Sequence, residues 1–305
     1  MTSVVERTST PPHLRTEITP VPIGEHQVGP GQPVYVIGEI GINHNGDVEI
    51  AKKLIDVAAE AGCQAVKFQK RTPEICVPLE QQQRMRQTPW GEMTYLDYKH
   101  RVELGRDEYT EITKYCAELG LDWFASPWDV PSVEFLEEME VPAHKVASAS
   151  ITDLELLRAL AETGKPILLS TGMSTLEEID AAVTVLGARR LVIMHSTSTY
   201  PMPPEEGNLR TIETLRERYR VPVGFGPRAG AADLGGGHRA GRGHGGTAHH
   251  PGPHHVGIGP LGVPGTHRPE QPGPRHPGDP GCPGRRRQTR LPGRGGAPQA
   301  PPPHH

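Results

Sequence analysis

The sequence predicts an α/β fold: an incomplete (β/α)8 TIM barrel followed by a disordered tail rich in Gly, Pro, Arg and His. Three observations carry that prediction. Short apolar runs alternate with amphipathic helical stretches from residue 34 to residue 225, the pattern of parallel strands joined by right-handed crossovers. Polar residues recur at or just after the ends of those runs, at Glu39, Lys67, Ser126, Ser148, Ser170 and Ser196, and no single glycine-rich phosphate loop dominates. Chemistry spread over many strand ends favours a barrel over an open Rossmann-type sheet. Third, after Gly226 there is no Lys, Met, Phe, Tyr, Trp, Ser or Asn. The isolated Val, Ile and Leu residues of that tail offer no contiguous apolar area for a core.

The elements follow in order. Residues 1–30 are polar and broken by Pro11, Pro12, Pro20 and Pro22, and read as a flexible arm. Residues 31–225 form the barrel domain, with seven strands expected. Residues 34–38 are the first buried-type strand; the helix over 48–61 puts Ile50, Leu54, Ile55 and Ala58 on one face and ends at Gly62. Strands at 65–68, 122–125, 145–147, 166–169, 190–194 and 221–225 alternate with helices over 109–119, 131–139, 153–163, 175–186 and 209–219. Gly120 and Gly164 cap two of these, and Ser174 or Thr175 starts a third. The segment 72–109 is too long for a simple connection and reads as a lid or rim insertion anchored by Trp90, Tyr95 and Tyr98.

Composition narrows the function classes. The chain has 305 residues and a formal net charge of -4, which hides an acidic folded part and a basic tail. Arg285, Arg286 and Arg287 are adjacent, yet no aromatics interleave to stack on bases, so specific nucleic-acid binding is not expected. No apolar stretch is long enough for a membrane span and no apolar signal core opens the chain, so a cytoplasmic location is expected. Cys63, Cys76, Cys116 and Cys282 lack paired spacing and read as thiols rather than disulfides or a zinc site.

Several side chains could do chemistry. Gly38-Glu-Ile-Gly-Ile-Asn-His-Asn-Gly46 places a carboxylate, two amides and an imidazole at a strand end, where a self-bonded polar turn is the plainer reading. Lys67 stands inside the apolar run 65–69, and Lys145 repeats the arrangement in 144–148. A barrel interior holds a lysine where an anion or a cavity meets it, and one such lysine alone could snorkel outward. Two at matched strand ends point to a bound phosphate or carboxylate, with hydroxyls available from Ser126, Ser148 and Ser170. Either lysine could instead form a Schiff base, as in an aldolase, and spacing does not separate the two.

Taken as an ordered set, these motifs resemble the sialic acid synthase family, whose members make N-acetylneuraminate, legionaminate or pseudaminate. The matching text is Gly38-Glu-Ile-Gly-Ile-Asn-His-Asn-Gly46, Val66-Lys-Phe-Gln69, Tyr95-Leu-Asp-Tyr98, Ala125-Ser-Pro-Trp-Asp129, Lys145-Val-Ala-Ser148, Leu169-Ser-Thr-Gly-Met173 and Ser198-Thr-Tyr-Pro201. The resemblance implies condensation of phosphoenolpyruvate with an N-acetylated amino-sugar aldehyde. It implies catalytic roles for Glu39, Lys67 and Lys145, with Lys67, Ser126, Lys145, Ser148 and Ser170 gripping phosphoenolpyruvate. Asn43, Ser198 and Tyr200 would complete the substrate site, the last two beside the sugar. It also implies a divalent metal (Mn2+ or Mg2+), a homodimer and a C-terminal antifreeze-like domain reaching the partner's site. A non-catalytic sugar- or anion-binding remnant is the non-enzyme alternative.

Three departures from the family pattern stand out. Ser148-Ala-Ser150 replaces a frequent Ser-Gly-Glu, and Ser196-Thr197 replaces Cys-Thr. After Phe225, where the family carries Ser-Gly-His or Ser-Asp-His and later Glu-Arg-His, this chain reads Gly226-Pro-Arg-Ala-Gly230, so the family's metal-binding histidines are missing. A shifted frame in a GC-rich gene is the expected cause, with a natural disordered His-rich tail as the rival reading. Codons compatible with 248–258 read in the alternative frame as His-Ile-Thr-Leu-Asp-Arg-Thr-Met-Trp-Gly-Ser, which resembles the family text. Residues 226–305 are therefore expected to be out of frame and disordered, replacing the end of the barrel and the antifreeze-like domain; an unstable, aggregation-prone and inactive product is the expectation.

Overall fold

The computed structural model describes residues 17–197, 204–226 and 257–260. Eight parallel strands form one sheet: β3 (Val36–Gly41), β4 (Ala65–Lys70), β7 (Asp122–Pro127), β8 (His144–Val146), β9 (Ile167–Ser170), β10 (Leu191–Ser196), β11 (Val223–Gly226) and β12 (Gly257–Pro260). The hydrogen-bonded order runs β7-β4-β3-β12-β11-β10-β9-β8, and β7 and β8 lie against each other to complete the ring. The expected α/β barrel is present, with each of the seven expected strands.

The eighth strand corrects the expected strand count and the reading of the whole tail as structureless. Gly257–Pro260 pairs with β3 at Val36, Ile37, Gly38 and Glu39, and with β11 at Phe225. Edge strands flanking a gap present unpaired N–H and C=O groups, and a short extended segment can satisfy them through its backbone whatever its side chains. That is why a stretch with no apolar pattern still closes the ring. The remaining residues after Gly226 lie outside the described residues.

The helices between strands are α1 (Val48–Glu60), α5 (Arg106–Glu118), α6 (Val130–Glu138), α7 (Leu154–Glu162), α8 (Leu176–Leu186) and α9 (Arg210–Tyr219). Their starts are chemically set. Asp47 accepts from the backbone N–H groups of Glu49 and Ile50 at the head of α1, and Thr175 and Glu178 form a reciprocal capping box on α8. Gly62 and Gly120 turn the chain after α1 and α5 with φ of 75° and 67°, a conformation that a Cβ disfavours. Among the described residues no helix is long and apolar enough to cross a membrane.

Register shows which strand residues face inward. Val146, Leu169, Ile193 and Val223 share one level, and they pack with Leu156, Leu157 and Leu160 of α7, Ile179, Ala182 and Val183 of α8, and Ile212 and Leu215 of α9. Side chains alternate along a strand, so Lys145, Leu168 and Val192, one step earlier and also in register, face the barrel interior. Across the ring, Phe68 meets the ring of Tyr109 on α5 at 5.9 Å and therefore faces the helices. Lys67 and Gln69 face inward, level with Phe124 and Ser126.

The amino-terminal arm also departs from expectation. Residues 1–16 lie outside the described residues, but Val21–Ile23 and His26–Val28 pair as a two-strand hairpin, β1 and β2. Gly24 opens its two-residue turn at φ 54°, the geometry that suits a tight hairpin. Val21, Ile23 and Val28 are buried in the barrel core. The hairpin lies across the amino-terminal end of the barrel: Gly24 abuts Asp122, and Gly29 abuts Pro222. Tyr35 donates to Asp122 at 2.8 Å. Prolines at 20 and 22 mask this in the sequence, because the pairing leaves Pro22 exposed and its apolar neighbours inward.

Candidate active site at the carboxyl-terminal mouth

The site lies where the strands end. In its deeper tier, Lys67 and Lys145 are each 5% exposed. Lys67 Nζ donates to Glu39 Oε1 at 2.9 Å, across the in-register pair Glu39–Lys67 of β3 and β4. Lys145 Nζ donates to the Val146 carbonyl at 3.1 Å. Two ammonium groups inside an apolar ring, with Glu39 the carboxylate bonded to Lys67, make an electropositive floor.

The hydroxyls come one step nearer the mouth. Ser126 stands opposite Gln69, and its Oγ is buried without a hydrogen-bond partner. Buried polar atoms are rarely left unmatched, so an orphaned hydroxyl facing a cationic floor fits a missing ligand oxygen. Ser170 and Ser196 share a hydrogen bond at 3.1 Å. Ser148 Oγ accepts from the Gly172 amide at 3.0 Å, clipping together the ends of the fourth and fifth strands. A Cβ at Gly172 would meet Ser148 Oγ at 2.9 Å and the Ser196 carbonyl at 3.2 Å, so the backbone passes close there.

Of the sequence candidates, Glu39, Lys67, Lys145, Ser126, Ser148 and Ser170 thus gather at one end of one barrel. Asn43 does not join the buried tier; it is exposed on the turn after β3. Ser198 and Tyr200 lie outside the described residues. Gln69 is absent from the sequence candidates, though a period of two from Lys67 places it on the same face. Arg71 Nη2 donates to Gln69 Oε1, and Arg71 Nε lies 2.7 Å from Glu103 Oε1.

The insertion over 72–102 covers this side of the mouth. It comprises α2 (Pro73–Cys76), α3 (Leu79–Gln82), the hairpin β5 (Met85–Thr88) and β6 (Gly91–Thr94), and α4 (Tyr95–Val102). Its aromatics cluster as expected, with Tyr95 and Tyr98 stacked at 6.4 Å and Trp90 at 6.4 Å from Tyr98. Its root is fixed by a residue the sequence reading missed. Asp129, just past β7, accepts from Thr72 N at 2.6 Å, Thr72 Oγ1 at 3.0 Å, Cys76 Sγ at 3.3 Å, Ser132 N at 2.8 Å and Ser132 Oγ at 2.6 Å. The far end of the lid packs on the turn after β3, where a Cβ on Gly46 would overlap the Arg101 carbonyl at 1.9 Å. In that turn His44 is 1% exposed and accepts from the Gly46 amide at 3.0 Å, and burial lowers its pKa to about 4.

A metal site of the kind implied by the resemblance is not assembled from these groups. Among the described residues no three His, Cys, Asp or Glu side chains group as a ligand set. Glu39 is engaged by Lys67, and His195 Nε2 is bonded to the Gly207 carbonyl at 2.9 Å. The described residues do not fit the metal.

With this geometry in place, comparison with known proteins decides the family. The NeuB family model matches residues 54–228. The chain belongs to the NeuB family. An uncharacterised protein of Methanocaldococcus jannaschii is 38% identical over 208 residues, 67% of this chain and 58% of the relative. The N,N'-diacetyllegionaminic acid synthase of Campylobacter jejuni is 34% identical over 197 residues, 62% of this chain and 59% of the relative. The crystal structure of an N-acetylneuraminic acid synthetase from Leptospira borgpetersenii, in complex with citrate, superposes with a TM-score of 0.66 at 27% identity, covering 80% of this chain and 79% of that one. This NeuB-family chain spans under three fifths of the length of the two curated relatives, at 58% and 59%.

Proposed function

We propose that the barrel mouth binds phosphoenolpyruvate and condenses it with an N-acetylated amino-sugar aldehyde to give a sialic-acid-type nonulosonate. One observation carries this reading: two buried ammonium groups, Lys67 and Lys145, face one barrel interior directly beneath a tier of serine hydroxyls. A small molecule carrying both phosphate and carboxylate matches that floor, and charge-assisted hydrogen bonds to it are strong when water is excluded.

In this reading Lys67 and Lys145 neutralise the phosphate and carboxylate, and Ser126, Ser148 and Ser170 fix the oxygens. The enol carbon attacks the aldehyde carbon from a held orientation, which is where most of the advantage of a two-substrate site arises. Water adds to the resulting oxocarbenium carbon, and phosphate leaves by C–O cleavage. Glu39, held by Lys67 at 2.9 Å, is positioned to assist proton transfer or stabilise developing positive charge. Asn43, Ser198 and Tyr200 belong to the substrate site, with Ser198 and Tyr200 on the sugar side. A divalent ion, Mn2+ or Mg2+, is implied by the family, and no step here is routed through it.

Titration of the full chain with phosphoenolpyruvate by calorimetry tests the binding claim before any turnover is sought. Binding that weakens about 100-fold in Lys67→Met and in Lys145→Met supports it. Binding unchanged in both variants overturns it. Phosphate release with N-acetylmannosamine or a related amino sugar then reports turnover, which the out-of-frame reading of 226–305 expects to be small. Borohydride trapping of a carbonyl substrate on Lys67 or Lys145 would instead support a Schiff-base aldolase.

A further inference from the structure

The lid closes over charges of its own, and they do not balance. Glu103, the residue after α4, has a side chain only 8% exposed. Arg71 Nε, from the end of β4, lies 2.7 Å from Glu103 Oε1, and Lys70 Nζ lies 3.9 Å from Oε2. The Arg71 amide donates to Oε2 at 3.3 Å. Two more cations come from the lid itself. Arg86 of β5 packs over the Tyr95 ring at 3.8 Å, and its Nε is buried without a hydrogen-bond partner. Lys99 of α4 sits 5.0 Å from the Tyr95 ring centre and 5.8 Å from that of Tyr98. Of the charged side chains acting on Lys99, Arg71 and Arg86 are cations and Glu103 is the carboxylate; Cys76 is the remaining titratable group.

Aromatic rings hold these cations in place without neutralising them. Burial, and then the Arg71 guanidinium, lower the Lys99 pKa to about 8; Glu103 opposes the shift and Arg86 adds to it. Burial pushes Lys70 the same way and pushes the Glu103 carboxyl up. Each group is thus charged at a cost that exists only while the lid is shut, and contact with water relieves it. Glu103 is the group that makes the closed arrangement tolerable. The cluster also reaches the mouth, because Arg71 donates to Gln69, which faces inward opposite Ser126.

We propose that the lid is a poised cover, clasped shut over the mouth by Glu103 and pressed open by the cations around it, with Lys99 setting the balance. This is a regulation of the same site. It rests on the proposed condensation for what the mouth admits, and not for the opening of the lid. The pH dependence has a definite sign. Lys99 regains an ordinary value near 10.5 when the lid opens, so the open form binds more protons between about 8 and 10.5. The lid is therefore loosest below pH 8 and tightens as pH rises through that window.

The test digests the full chain, without ligand, with subtilisin. Cleavage within 72–102 is followed by mass spectrometry, relative to an unstructured peptide at the same pH. Lys99→Met should slow that cleavage about 10-fold at pH 7.5, and Glu103→Gln should speed it at least about 10-fold. Between pH 8 and pH 10 cleavage of the unaltered lid should slow about 10-fold, while Lys99→Met stays flat. Slow cleavage within Leu191–Ser196 shows that the barrel itself is folded. Should Glu103→Gln unfold the barrel, Lys99→Met and the pH series still decide. Cleavage that is unchanged or faster in Lys99→Met, or that ignores pH in the unaltered chain, overturns the cover. Phosphoenolpyruvate should also associate with Lys99→Met more slowly by about the same factor as cleavage. Association unchanged while cleavage slows overturns control of the mouth. Failure of phosphoenolpyruvate to bind the unaltered chain removes the proposed condensation instead, and the digestion still reads out the lid.

Discussion

Ser126 and Asp129 stand three residues apart at the end of the same strand, and their surroundings are opposite. Asp129 is 5% exposed and both of its oxygens are occupied, by donors from Thr72, Cys76 and Ser132. Ser126 is 1% exposed and its hydroxyl has no partner. A buried polar group that is fully matched within the protein holds the architecture together. Under the proposed condensation, one left unmatched near two buried lysines is where a substrate oxygen binds. The lid root and the mouth floor are adjacent in the chain and opposite in how their polar groups are matched.

The largest effect that tests this contrast is expected at Asp129. Asp129→Ala should lower the unfolding free energy by about 4 kcal/mol in denaturant titration, because it strips the acceptor from several buried donors at once. A loss below about 1 kcal/mol would erase the distinction drawn here. His44 asks whether an orphaned atom can also be architectural, since its Nε2 is buried without a partner in the turn that meets the lid. Its folded pKa of about 4 lies below the ordinary histidine value of about 6.5, so the unfolded chain binds more protons between those values. Stability should therefore be complete above pH 6.5 and fall as pH drops toward 4, by at most on the order of 3 kcal/mol. His44→Gln should flatten that slope, and an unchanged slope would place the acid sensitivity elsewhere.

Smaller effects belong to the mouth. Exchanging Lys67 for Met should cost about 100-fold in phosphoenolpyruvate affinity, near 2.7 kcal/mol, and should also lower the melting temperature, because Glu39 loses its partner at 2.9 Å. The double variant Lys67→Met/Glu39→Gln should recover stability without recovering affinity, and recovery of both would recast Lys67 as structural. Ser126→Ala is the gentlest: about 10-fold weaker binding and a stability change within about 0.5 kcal/mol. Should Ser126→Ala unfold the protein as readily as Asp129→Ala, the hydroxyl has an internal role.

The barrel was legible because its signals are local. A strand such as Leu191–Ser196 is a run of apolar residues bounded by polar ones, and α8 announces itself with Thr175 and Glu178 three apart. The site was legible to the extent that its members sit on strands: Lys67, Lys145 and Ser170 are anomalies inside apolar runs. Asp129 was not, because its meaning lies in Thr72, 57 positions away, and no spacing rule connects them. The eighth strand was invisible for a different reason: Gly257–Pro260 is held through backbone groups that every sequence shares.

Among the described residues, the hairpin closes the amino-terminal end of the barrel and leaves the carboxyl-terminal mouth as the way in. Val21, Ile23 and Val28 stopper the bottom, so whatever reaches the lysines must pass the serines first and leave by the same route. Under the proposed condensation, the substrate that needs the floor enters before the one that fills the neck, and the part of the product left deepest waits until the neck has cleared.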